Sequence, residues 1–130
     1  MATINSYKEL IVWKKSMELV KEIFLLTNNF PKSEIYGLVS QMRRAAVSIP
    51  SNIAEGFGRR SIKASIQFYT IAYASGLELE TQLIISKNLN MGTEESFEIS
   101  ESLLLEVSKM LNAMTSKMRL LTKEELTTSN

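Results

Sequence analysis

An all-α fold, an antiparallel up-down-up-down four-helix bundle, is predicted for this chain from three features. Apolar residues recur every three or four positions through four long stretches. The 5 glycines and 2 prolines among 130 residues rarely interrupt those stretches. The breaks between them are short, and short connections make consecutive helices antiparallel neighbours. Residues 1–130 are expected to form one domain.

Helix one is expected over about 7–27. Ser6 is its cap, and Glu9 three positions on completes the pattern of a capping box. Its apolar stripe reads Leu10, Trp13, Met17, Val20, Phe24 and Thr27, widened by Ile11, Val12 and Ile23. Asn28-Asn29-Phe30-Pro31 ends it, because Pro31 disfavours α geometry at Phe30. Helix two is expected over about 33–57, with Ser33 as cap and a stripe of Leu38, Met42, Ala45, Ile49 and Ile53. Pro50 lies inside it and removes one helical hydrogen bond. The apolar spacing runs through Pro50 unbroken, so the helix is expected to continue across it with a kink.

Gly56-Phe57-Gly58 marks the next break, and Ser61 caps helix three, expected over 62–88. Its stripe is Ile62, Ile66, Tyr69, Tyr73, Gly76, Leu79 or Glu80, and Leu83, with further apolar residues on other sides. That is more than the arc of roughly 100° that one core requires, so a second buried face is expected there. Asn90-Met91-Gly92 ends the helix. Thr93 caps helix four, expected over 93–121, with a frayed polar tail at 122–130.

Composition excludes much chemistry. With no cysteine and no histidine, the chain has no disulfide, no thiolate nucleophile, no imidazole base and no Cys/His metal site. No metal and no cofactor are expected. The opening MATINSYKELIVWKKS lacks a basic region followed by an apolar run, so no signal peptide is expected. No stretch of about 18 apolar residues spans a membrane. A cytoplasmic location is the expectation, and the lack of cysteine fits a reducing compartment.

The net charge of +1 is unevenly spread. Residues 1–65 hold ten Lys/Arg against five Glu, and residues 66–130 hold five against nine. Helices one and two are therefore basic, helices three and four acidic. The simplest expectation is internal balance, the basic pair lying beside the acidic pair.

Three constellations are candidates for function. Glu55, Glu78 and Glu80 are acids in apolar surroundings and have the chemistry to hold Mg²⁺. Pairing with Arg43 or Arg44 is the plainer reading. Gly56-Phe57-Gly58 precedes a helix N-terminus and is followed by Arg59, Arg60 and Lys63, so it has the makings of an anion site. It is neither a P-loop nor a dinucleotide fingerprint, and a turn with a solvated basic edge is the plainer reading. Arg43 and Arg44 suit phosphate oxygens, against ion pairing to helix three. Trp13, Tyr36, Tyr69 and Tyr73, at helical spacing, read as core or subunit contacts.

Four stretches carry a family resemblance: LIVWKKSM at 10–17, FPKSEIYGL at 30–38, QMRRAAVSIPSNIAEG at 41–56 and SGLELETQL at 75–83. Together they resemble the bacterial four-helix-bundle family first named for proteins encoded in intervening sequences of 23S ribosomal RNA genes. The resemblance covers residues 7–121, and SIPSNIAEG is its most specific part. It implies bundles assembled as homo-oligomeric rings, commonly homopentamers. A related branch is the accessory protein of diversity-generating retroelements, which binds nucleic acid and a reverse transcriptase. The joint expectation is a non-enzymatic oligomer that binds RNA or DNA without base readout through Arg43, Arg44, Arg59, Arg60 and Lys63. The alternative is a scaffold that docks a partner protein such as a reverse transcriptase.

Overall fold

In the computed structural model, which describes the backbone of residues 3–128 and the side chains of residues 3–123, four long helices carry the fold. They are α1 (Ile11–Thr27), α2 (Ser40–Phe57), α3 (Ile62–Asn88) and α4 (Glu94–Thr128). Each packs on its neighbours in chain order, and α1 against α4 closes the bundle. The described residues contain no strand.

The start of helix one differs from expectation. Ser6 does cap, accepting from the Lys8 N–H, but what it caps is a 3₁₀ turn at Tyr7–Glu9. The Glu9 carboxylate reaches back to the N–H of Asn5 at 3.1 Å. Leu10 is then extended (φ −69°, ψ 127°), and α1 begins at Ile11. The break sets Tyr7 edge-on against Trp13, with ring centroids 5.3 Å apart.

The inward face of α1 also differs. Its buried residues are Val12, Ser16, Leu19, Ile23, Leu26 and Thr27. The expected stripe of Trp13, Met17, Val20 and Phe24 lies roughly 100° round the helix. Met17 is 43 % exposed and Phe24 38 %. Val12 and Ile23, expected only to widen the stripe, lie at its centre, and Ser16 between them masks that from a hydropathy reading. In the core its hydroxyl is satisfied by the Trp13 carbonyl at 2.7 Å.

Helix two opens irregularly. Lys32–Glu34 is a 3₁₀ turn and Ile35–Val39 a π turn. Gly37 sits at φ −110°, ψ −109° inside it, outside helical geometry. Ser33 makes no capping hydrogen bond there. This wide turn throws Tyr36 into solvent, 97 % exposed, so Tyr36 is not a core residue. From Ser40 the helix is regular and runs through Pro50 without a break, as its spacing predicts.

Helix three has the expected bounds. The Ser61 side chain accepts from the Ala64 N–H at 3.1 Å, and Asn90 after the helix takes a left-handed φ of 53° that asparagine tolerates. Tyr69, Gly76, Leu79 and Leu83 are buried as expected, whereas Glu80 is exposed. Thr93 accepts from the Ser96 N–H at 3.4 Å, and α4 continues to Thr128, past the 121 that periodicity suggests. Of the expected frayed tail, 122–128 is helical and 129–130 lies outside the described residues.

Small residues set the helix spacing. Between α2 and α3, Ser48 and Ser75 share a hydrogen bond of 2.9 Å, and within α2 Asn52 Nδ2 donates to the Ser48 carbonyl at 2.8 Å. Between α3 and α4, a Cβ built on Gly76 would meet Ser108 Oγ at 3.4 Å and Leu104 Cδ1 at 3.5 Å, ordinary packing distances. Alanine relieves the entropic cost of glycine in a helix interior. Gly76→Ala is therefore expected to raise stability by up to about 1 kcal/mol, read as a higher urea midpoint at unchanged slope.

Tyr69, 4 % exposed, packs against α2. Burial pushes its phenol above the ordinary tyrosine value. The folded state thus favours the neutral phenol. The stability this contributes is complete below the unfolded pKa of about 10 and is lost as pH rises through the folded value. Denaturant titrations at rising alkaline pH are expected to show a steeper loss for the wild type than for Tyr69→Phe.

Candidate nucleic-acid interface

The C-terminal end of α2 and the N-terminal end of α3 place three of the five expected phosphate-binding residues together. Gly56 is still helical and buried, so it does not cradle an anion. Gly58 ends the helix, its N–H bonded to the Ala54 carbonyl at 3.2 Å, and Arg59 N–H bonds to Gly56 O at 3.3 Å. Arg59 then folds back, its guanidinium 4.3 Å from the Phe68 ring centroid and 3.9 Å from Glu55 Oε2. The cation–π contact with Phe68 restrains the side chain, and Arg59 stays exposed.

Arg60 and Lys63 follow on exposed positions. They bracket the start of α3, whose first turn carries no acid. The unpaired N–H groups of a helix start add partial positive charge there. From the adjacent C-terminal half of α4, Arg119 reaches across to Thr70 Oγ1 at 3.5 Å. Nothing in the spacing of residues 70 and 119 signals that they meet.

Arg43 and Arg44 are elsewhere. Arg43 lies fourteen positions before the end of α2 at Phe57, about 21 Å along the helix at 1.5 Å per residue. Arg43 donates from Nε to Thr27 Oγ1 at 2.9 Å and from Nη2 to Asn28 Oδ1 at 3.0 Å. Its guanidinium lies 4.6 Å from the Phe24 ring centroid. It is a strut that ties α2 to the end of α1, and its partners are neutral groups rather than a carboxylate of helix three. Removing it leaves those groups to solvent and uncovers the Phe24 ring. Arg43→Ala is expected to cost about 1–3 kcal/mol, measured by urea denaturation. Arg44 is exposed on α2.

The carboxylates do not gather. Among the described residues no three or more Asp or Glu side chains are placed to share a metal ion. Glu55 lies near Arg59, and Glu78 accepts weakly from Gln82 Nε2 at 3.4 Å. The internal balance of charge is slight as well. One ion pair among the described residues, Lys15 to Glu106 at 3.3 Å, joins the basic helix pair to the acidic one. Arg59–Glu55 and Lys87–Glu101 each stay within one pair.

A family described as 23S rRNA-intervening sequence protein matches residues 8–113. The chain belongs to that family. Its fold is similar to a solved structure from Bacteroides thetaiotaomicron, described as a protein of unknown function from the S23 ribosomal protein family. The two are 25 % identical with a TM-score of 0.73, over 81 % of this chain and 98 % of that one. No curated protein matches the chain. Within the family frame, the stretch SIPSNIAEG acquires a physical meaning. Ser48 and Asn52 bond across or along the α2–α3 seam, Ile49 and Ile53 fill the core, and Gly56 admits Tyr69. The signature is a packing device, and the basic residues that follow it form the exposed end. Among the described residues no helix is long and apolar enough to cross a membrane.

Proposed function

We propose that this member of the family is a non-enzymatic, cytoplasmic protein that self-associates, as a ring of five, and binds RNA or DNA by its phosphate backbone. The observation that carries the reading is the α2–α3 end. Arg60 and Lys63 are exposed beside a helix start free of acid, and Arg59 is held over the Phe68 ring. Phosphate contacts of this kind fix position on a nucleic acid without reading sequence. Arg44 is an outlying phosphate contact, and Arg43 acts as a strut. Phe68, the ring nearest in the fold to Arg59, is covered by the Arg59 guanidinium and so is not offered to a base. A ring multiplies each basic end by its copy number, which strengthens a modest site when the geometry permits simultaneous contact.

The scaffold reading keeps one supporting observation. Tyr36 and Ile35 stand exposed on the π turn, far from the basic end, as a contact for a partner protein would. Filter binding at low salt tests the main reading. Retention of RNA or DNA of unrelated sequences with similar affinity is expected. No retention of either would overturn it.

A further inference from the structure

The acidity of helices α3 and α4 is unevenly placed along their length. From Ile62 to Leu77, α3 carries Lys63 and no acid. From Val107 to Lys123, α4 carries Lys109, Lys117, Arg119 and Lys123, again with no acid. The carboxylates of both helices up to residue 123 fall at 78–80 and 94–106, and Glu124 and Glu125 lie beyond the described side chains. The two helices run antiparallel, so their acid-free stretches lie side by side. Arg119 marks the register, its Nη2 donating to Thr70 Oγ1 at 3.5 Å.

This seam continues the basic end of the bundle. Lys63, Gln67 and Thr70 follow at steps of four and three on α3, so they share one side of the helix, and all three are exposed. Lys63 and Thr70 lie about 10 Å apart along the axis at 1.5 Å per residue. Arg119 is exposed beside Thr70, and the group it touches is a neutral hydroxyl at the limit of hydrogen-bond length. A guanidinium has several donors, so one long bond leaves most of them for a ligand. Among the described residues no carboxylate pairs with Lys63 or Arg119. Further along α3 the sign reverses, because Glu78 and Glu80 are exposed about two to three turns past Thr70. A polyanion is drawn to the first half of this seam and repelled from the second.

We infer that nucleic acid bound at the α2–α3 end also runs along the α3–α4 seam as far as Arg119, which supplies a further phosphate contact, and stops short of Glu78. This rests on the proposed nucleic-acid binding and gives its direction on the molecule. An arginine that only tied α4 to α3 would act through its bond to Thr70 and would leave the salt dependence of binding untouched. A phosphate contact adds to that dependence.

Salt titrations on a mixed-sequence DNA duplex and on an RNA single strand test it. Arg119→Gln is expected to weaken binding roughly tenfold near 0.1 M salt and to reduce the salt slope by about 0.9 on the duplex or about 0.7 on the single strand. Arg119→Lys keeps the charge and is expected to keep the slope. Thr70→Glu, at an exposed helical position, sets a carboxylate against Arg119 and is expected to weaken binding at least as much. Lys87→Gln removes the same charge in the acidic half, where Lys87 pairs with Glu101 at 3.2 Å, and is expected to leave the slope unchanged. Circular dichroism checks helicity, and Thr70→Glu carries the test if Arg119→Gln unfolds. If Arg119→Gln and Thr70→Glu bind as the wild type does, or Lys87→Gln loses as much as Arg119→Gln, nucleic acid does not follow this seam, while binding at the α2–α3 end stands. A wild type that binds neither probe would overturn both.

Discussion

Gly56→Ala is expected to destabilise the fold by about 1–3 kcal/mol, although alanine gains about 1 kcal/mol of helix propensity over glycine. The reason is the close approach of α3. A Cβ at Gly56 would lie 2.7 Å from Tyr69 Cε1, 2.9 Å from Tyr69 Cδ1 and 3.1 Å from Phe68 Cβ. The first two atoms belong to a stiff ring buried against α2, and the third is a branch point at the backbone of α3. Neither can swing away, so the two helices must part. Parting them loosens the seam at which Ser48 meets Ser75 at 2.9 Å. The contrast with Gly76→Ala is diagnostic. The two glycines are both helical and buried, yet the substitutions are expected to move the urea midpoint in opposite directions.

Replacing Arg59, Arg60 and Lys63 together by glutamine is expected to weaken nucleic-acid binding by roughly 10²–10³-fold near 0.1 M salt, on the order of tenfold for each phosphate deprived of its cation. The fold should hold, because Arg60 and Lys63 are exposed and the Arg59–Glu55 pair is a long, surface one at 3.9 Å. Arg43→Ala should show the reverse pattern, with stability lowered and affinity nearly unchanged. A gel-shift titration beside a urea melt separates the two. Equal loss of affinity in both variants would mean that the binding surface extends along the whole of α2.

Much of the fold was legible because its signals are local. Ser61 and Thr93 cap their helices, and the α3 bounds follow from Ser61 at one end and Asn90 at the other. Two features of the fold were not. In α1 two stripes share one period, and hydropathy favours Trp13, Met17 and Phe24 over the stripe containing Ser16. Burial selects the weaker stripe because a serine hydroxyl can be satisfied within its own helix. The π turn at Ile35–Val39 depends on the wide backbone of Gly37, which one glycine in a sequence does not announce.

The site divides the same way. Arg59, Arg60 and Lys63 are close in sequence and so remain close at the end of the bundle. Charge alone groups Arg43 with them, yet its partners are a hydroxyl, an amide and a phenyl ring at the end of α1. None of these carries a charge that sequence patterning detects. Arg119 joins the basic end only through the antiparallel return of α4. The polarity between the two helix pairs is visible as composition.

The salt dependence of binding tests the central claim most directly. Plotting the logarithm of the association constant against that of salt concentration is expected to give a straight, steep fall. Three phosphate contacts on duplex DNA correspond to a slope of about −2.7, and about −2 on single strands. Slopes larger in magnitude are expected where several subunits engage. The Arg59, Arg60 and Lys63 variant should lose most of that slope. A wild-type slope near zero, or one that the variant leaves unchanged, would contradict the assignment of this end of the bundle to nucleic-acid phosphate.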